Sequence, residues 1–99
     1  MAKYHLTNKA VEDISTFWSY TFDVWSEMQA DKYYKLLLSC FTALSLDENL
    51  GKNYPEIDPE IFGYKMSEHI IFYRMIKKHE IEIVRILHSR MDLKNRIGE

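Results

Sequence analysis

HIIFYRMIKKHEIEIVRILHSRMD, running from His69 to Asp92, decides the fold. Two apolar runs, Ile70–Ile76 and Ile81–Leu87, flank a polar break of Lys77, Lys78, His79 and Glu80. Short runs rich in Ile, Val, Phe and Tyr, bounded by polar residues, are strands, and a break of about four residues suits a hairpin loop. With Ile76 set opposite Ile81, alternation puts Ile70, Phe72, Arg74, Ile76, Ile81, Ile83, Arg85 and Leu87 on one face. The other face carries Ile71, Tyr73, Met75, Glu82, Val84, Ile86 and His88. Both faces are largely apolar, so each needs cover.

Upstream, Gly63–Ser67 leads into the hairpin as a further strand. Leu50–Phe62 holds Pro55, Pro59 and the acidic Glu56, Asp58 and Glu60, the composition of a solvated loop. Before it, Ser26 followed three residues later by Gln29 is a capping box that opens a helix over about residues 27–46. Ala30, Tyr33, Tyr34, Leu37, Phe41 and Leu44 form its core stripe. Ala10, Ile14, Phe17 and Thr21, widened by Val11, Trp18, Phe22 and Trp25, predict an earlier helix over roughly 8–24, capped by Thr7 or Asn8. The short link between the helices predicts an antiparallel hairpin. Lys3–Leu6 is an opening strand, and the polar stretch Met91–Glu99 is a tail that can fray. The order β-α-α-β-β-β defines one α+β domain over residues 1–99. An antiparallel helix hairpin packs on one face of a small, mainly antiparallel sheet. Two helices cover one sheet face, so the other is expected to await a partner, and a chain without that partner to self-associate.

The 99 residues are 46% hydrophobic, enough for a core, yet hold no run of about 18 apolar residues, so no membrane span is expected. The start MAKYHLTNKA has no apolar signal core, which predicts a protein that stays in the cytoplasm. The single cysteine, Cys40, sits among Leu38, Phe41 and Leu44 and reads as a buried structural thiol. Residues 1–62 carry five Lys/Arg against ten Asp/Glu, and residues 63–99 eight against five. This acidic front and basic back suit a charge-complementary protein partner better than direct nucleic-acid binding, which calls for a dense basic footprint.

Chemistry-bearing motifs are sparse. There is no GxSxG, P-loop or GxGxxG. The histidines are scattered in sequence and no paired Cys motif accompanies them, so neither a metal site nor a cofactor is expected. The acidic loop lacks the glycine and ligand spacing of a calcium loop. His88, at a strand end two residues before Arg90, has the intrinsic pKa of a general base but fits packing at the sheet end more simply. Arg74 and Arg85, mid-strand among apolar residues, need a carboxylate, a carbonyl or water, or else anchor a partner.

Several of these residues carry a resemblance. Leu6-Thr7, Ala10, Asp13-Ile14, Tyr20-Thr21, Gln29-Ala30, Tyr33 and Gly51, followed by His69-Ile70-Ile71-Phe72-Tyr73-Arg74 and Arg85-Ile86-Leu87-His88-Ser89-Arg90-Met91-Asp92, resemble the RelE/ParE toxin family of type II toxin–antitoxin modules. The RILHxxMD element, with IFYR before it, is similar to the ParE branch. The resemblance implies the β-α-α-β-β-β fold. It also implies a ParD-like antitoxin that wraps the toxin into a hetero-oligomer, and DNA gyrase as the target, inhibited by binding without catalysis. RelE-like members are instead ribosome-dependent mRNA endonucleases and typically carry Arg in R-x-x-Y before the strand tyrosine. Here that position is Ile70, and an aliphatic residue cannot stabilise phosphorane charge. A nuclease would need Arg85, His88 and Arg90 to converge on one concave site. An inactive member that only binds antitoxin is the third reading. Candidate target contacts are Arg85, His88, Arg90 and Met91; candidate antitoxin contacts are Tyr64, Phe72, Arg74 and Ile83.

Overall fold

The computed structural model describes residues 3–24, 26–66 and 69–88. Trp25, Ser67, Arg90, Met91 and the rest of the tail lie outside the described residues, as do the side chains of Phe17, Thr21 and Phe22. In chain order the elements are β1 (Lys3–Leu6), α1 (Asn8–Val24), α2 (Glu27–Leu46), a 3-10 turn (Glu48–Leu50), β2 (Lys52–Asn53), β3 (Phe62–Met66), β4 (His69–Lys77) and β5 (Glu80–His88). The sheet order is β1-β5-β4-β3-β2, with β1 parallel to β5 and the other pairs antiparallel.

The helix boundaries follow from their caps. Thr7 Oγ1 accepts from Ala10 N at 3.1 Å, and Ser26 Oγ accepts from Gln29 N at 3.1 Å. Each satisfies an amide that has no partner within its helix. The buried side chains of α2, including Ala30, Leu37, Phe41 and Leu44, recur at helical spacing and face the sheet. There they meet Ile71, Tyr73, Ile81, Ile83 and Ile86.

The hairpin register differs from strict alternation. Met75, not Ile76, lies opposite Ile81, and Lys77 lies opposite Glu80. Further along, Phe72 pairs with Arg85 while Tyr73 pairs with Ile83, so Val84 is an extra residue in β5. This bulge lets Ile83 and Ile86, three apart, both face the helices, where they are 0% and 2% exposed. Without it one of them would leave the core, at roughly 1.5–3 kcal/mol. A lost ladder hydrogen bond costs less, about 0.5–1.5 kcal/mol. Here the loosened backbone also finds other partners. Thr7 Oγ1 donates to Val84 O at 2.7 Å, Thr7 N donates to Ile83 O at 3.1 Å, and Ile86 N donates to Asp13 Oδ2 at 3.0 Å.

The second sheet face supplies its own cover, contrary to expectation. Ile70, Phe72 and Leu87 are buried against Ile61, Tyr54 and Ile57 from the segment between β2 and β3. The Tyr54 ring meets Phe72 edge-on with centroids 5.3 Å apart. Composition marked this segment as a solvated loop, but it is closed by bonds from Tyr54 N to Ile61 O, Ile57 N to Tyr54 O and Ile61 N to Asp58 O. Among the described residues of the hairpin, the exposed large apolar side chains are those at its tip, where Met75 and Ile76 are 43% and 51% exposed. Tyr73 is buried on the helix side, and its hydroxyl accepts from Gly51 N at 3.0 Å. A Cβ at Gly51 would run into that ring, with Cε1 only 2.8 Å away.

Candidate functional site

The site that stands out lies at the β1 edge of the sheet. Lys3 N and Thr7 N donate to His79 O and Ile83 O of the β5 side. By alternation the main-chain groups of Tyr4 and Leu6 turn to the opposite side, where β1 ends the sheet among the described residues. Beside that edge runs a groove of about 450 Å³ lined by Leu6, Val11, Ile14, Ser15, Trp18, Ser19 and Tyr34. On α1 the spacing 11, 14/15, 18/19 places these side chains in one stripe, and Tyr34 of α2 forms the opposite wall. Val11 is 49% and Tyr34 40% exposed, so the apolar lining is open to solvent. Ser15 and Ser19, with the Tyr34 hydroxyl and the Trp18 indole, are the polar groups among the described lining residues. An open sheet edge adjoining an apolar groove can take a chain segment in two ways at once. Main-chain bonds form along the edge, and apolar side chains seat in the groove.

Sequence reasoning assigned Val11, Trp18 and Tyr34 to the core stripes and so missed the groove. The signal was available: α1 carries apolar residues around more of its circumference than one sheet face requires.

The residues proposed from sequence are distributed as follows. Arg85 is 8% exposed, and its Nε and Nη2 donate to the two carboxylate oxygens of Asp13 on α1 at 2.8 and 2.9 Å. It is the inner half of a fork-to-fork pair, not an edge arginine reaching for solvent. His88 closes β5 with its ring edge-on to His69, centroids 5.5 Å apart. The His69 Nδ1 in turn lies 2.6 Å from the Tyr33 hydroxyl of α2. Arg85 and His88 are thus engaged by different partners, and Arg90 and Met91 lie outside the described residues. Of the other set, Phe72 and Ile83 are both 0% exposed, one beneath the 54–61 segment and one beneath the helices, and neither offers surface. Tyr64 is half-buried against the helix-side core. Arg74 is exposed on the hairpin, with Nε donating to Glu82 at 2.8 Å.

Cys40 and Glu80 are displaced from their ordinary values. Partial burial raises the Cys40 thiol, which keeps it protonated and unreactive. Glu80 is lowered, first by its hydrogen bond with His5 at 2.9 Å and further by Lys77 and Lys3 nearby. Among the described residues no three or more His, Cys, Asp or Glu side chains gather as metal ligands. No described helix is long and apolar enough to cross a membrane.

An antiparallel helix pair on a mixed five-stranded sheet, with a parallel first strand, is a RelE/ParE-like α+β domain. A chain from a solved structure of the chromosomal ParDE TA system from P. aeruginosa shares this fold, with a TM-score of 0.74 at 21% identity. The match covers 89% of this chain and 96% of that one. The chain belongs to the ParE toxin family: the family model for the ParE toxin of the parDE type II toxin-antitoxin system matches residues 4–93. Among its relatives, Toxin ParE1 of Mycobacterium tuberculosis H37Rv is 29% identical over 92 residues, covering 93% of this chain and 94% of the relative. Toxin ParE1 of Caulobacter vibrioides is 28% identical over 101 residues, covering 99% and 100%. Toxin ParE of Escherichia coli is 28% identical over 99 residues, covering 100% and 96%.

Proposed function

We propose that this ParE-family toxin acts in the cytoplasm by binding DNA gyrase, and that a ParD-like antitoxin holds it inactive in a hetero-oligomer. The observation that carries the partner reading is the open β1 edge beside the apolar groove, a seat for an amphipathic segment supplied in trans. Binding without catalysis is supported by two residues. Ile70 stands where RelE-like nucleases carry arginine, and Arg85, one of the remaining candidate cations for phosphate, is already paired with Asp13. The target contacts are assigned to the C-terminal end of β5 and the residues after it: His88, Arg90 and Met91. Tyr64 and Arg74 are the antitoxin-side contacts that retain exposed surface.

Purified toxin added to gyrase and relaxed plasmid is expected to block supercoiling and to leave mRNA intact in a translating extract. Untouched supercoiling together with cleaved mRNA would overturn this in favour of a nuclease. Neither effect, with normal growth on induction, would mark a chain that only binds antitoxin. For the partner, Val11→Asp and Tyr34→Asp should weaken antitoxin binding at least tenfold, whereas Leu36→Asp, half-exposed on α2 outside the groove, should not.

A further inference from the structure

Hairpin pairing brings together two histidines that are far apart in sequence. His69 opens β4, His88 closes β5, and the two are directly opposed across the antiparallel ladder. Opposed residues project to the same face with Cβ atoms about 4.5–5.5 Å apart. The rings stand 5.5 Å apart between centroids, at 74° to each other. Two imidazoles that share one ion at about 2.0–2.1 Å, near a tetrahedral angle, hold their ring centres about 5 Å apart. The centroid spacing on this hairpin is therefore compatible with a shared ion once the rings turn one nitrogen each toward a common point.

Tyr33 supplies the other feature such a site uses. Its hydroxyl lies 2.6 Å from His69 Nδ1. A ligating histidine characteristically donates its second ring N–H to an oxygen acceptor, which fixes the tautomer and orients the ring. With Nδ1–H donating to the Tyr33 oxygen, Nε2 carries the coordinating lone pair. Strands fix both histidines, and a helix fixes the tyrosine, so three separate elements set the geometry.

We propose that His69 and His88 form a two-histidine site for one divalent transition-metal ion of the zinc or copper type, with Tyr33 as the positioning residue for His69. Imidazole donors select these ions over calcium or magnesium, which require oxygen cages. Both rings are half-buried, so water completes the coordination on the open side and the site is not a closed structural one. The ion competes with the hydrogen bonds the rings already make, which keeps affinity well below that of a four-ligand site. Its place at the mouth of the hairpin means that it clamps the start of β4 to the end of β5.

The test is a ZnCl2 titration of the full-length chain, first stripped by chelator, followed by calorimetry and by nitrogen-resolved spectra of the histidine side chains. One ion should bind per chain, and the ring signals of His69 and His88 should move together while those of His5 and His79 stay in place. His88→Ala and His69→Ala should each lower affinity at least tenfold. Tyr33→Phe should lower it about tenfold while both rings still respond to the ion. His5→Ala should change nothing. No binding at millimolar zinc would overturn the proposal. So would ring shifts at His5 or His79 instead, or binding that survives loss of both His69 and His88. The wild-type spectra decide the matter even if an alanine variant fails to fold.

Discussion

Asp13 binds the first helix to the last described strand. Its carboxylate takes both Arg85 nitrogens and the Ile86 amide, so one side chain ties α1 to the β5 bulge three times. The Asp13 and Arg85 side chains are 13% and 10% exposed. Removing one partner of such a pair leaves the other charge buried, at about 3–5 kcal/mol. Asp13→Ala should therefore lower unfolding stability by that amount in a denaturant titration, and replacing Arg85 as well should restore part of it. The opposite sign is expected at His79. Its φ of 60° lies in the left-handed region, and its buried Nδ1 meets no hydrogen-bond partner among the described residues. His79→Gly should raise the denaturation midpoint by the equivalent of about 1 kcal/mol, since glycine adopts that φ freely and removes the buried nitrogen. Sequence alone could flag Arg85 as needing a carboxylate. It could not name Asp13, because the pairing depends on a bulge that no local pattern announces.

At the scale of elements, α1, α2 and β1 are legible because each is written locally. Caps sit at Thr7 and Ser26, apolar residues recur at helical spacing, and a short apolar run precedes the first cap. The sheet was harder to read. Strict period-two alternation fails twice in the hairpin, at Ile76 near the exposed tip and at Val84, where burial of Ile83 and Ile86 outweighs a regular ladder. The 54–61 segment was misread for a related reason. Its prolines and acids describe its outer surface, whereas Tyr54, Ile57 and Ile61 do the covering. The seam between β1 and β5 should be acid-sensitive. Glu80, hydrogen-bonded to His5, has its carboxyl lowered. A lowered carboxylate stabilises the fold fully above its unfolded value, and that contribution disappears as pH falls through the lower folded value. Glu80→Gln should therefore flatten the loss of stability below about pH 4.3 and leave neutral-pH behaviour nearly unchanged. Thermal unfolding measured across that range checks it.

For the whole molecule, the sheet is sandwiched between two helices and a compact loop, with the β1 edge and its adjoining groove left open. The surplus apolar surface expected from sequence is real, but it lies beside the helices instead of on the second sheet face. Ile61→Asp should uncover Phe72 and Ile70 and increase self-association relative to the unaltered chain, visible by size-exclusion chromatography and dye binding. The same charge at Leu36 should leave the elution position unchanged, since that side chain is already half-exposed.

The parallel pairing of β1 with β5 also bears on when this toxin comes into being. Lys3 to Leu6 dock on Glu80 to Ile83, far along the chain from them. Thr7, which caps α1, likewise waits for Ile83 and Val84. Contacts of such long sequence separation form late and slowly. A nascent chain cut short anywhere before Glu80 lacks the seam that builds the edge and the groove. A chain truncated there is therefore expected to stay only partly folded, and the edge and the groove arise together with the slow, long-range steps of folding.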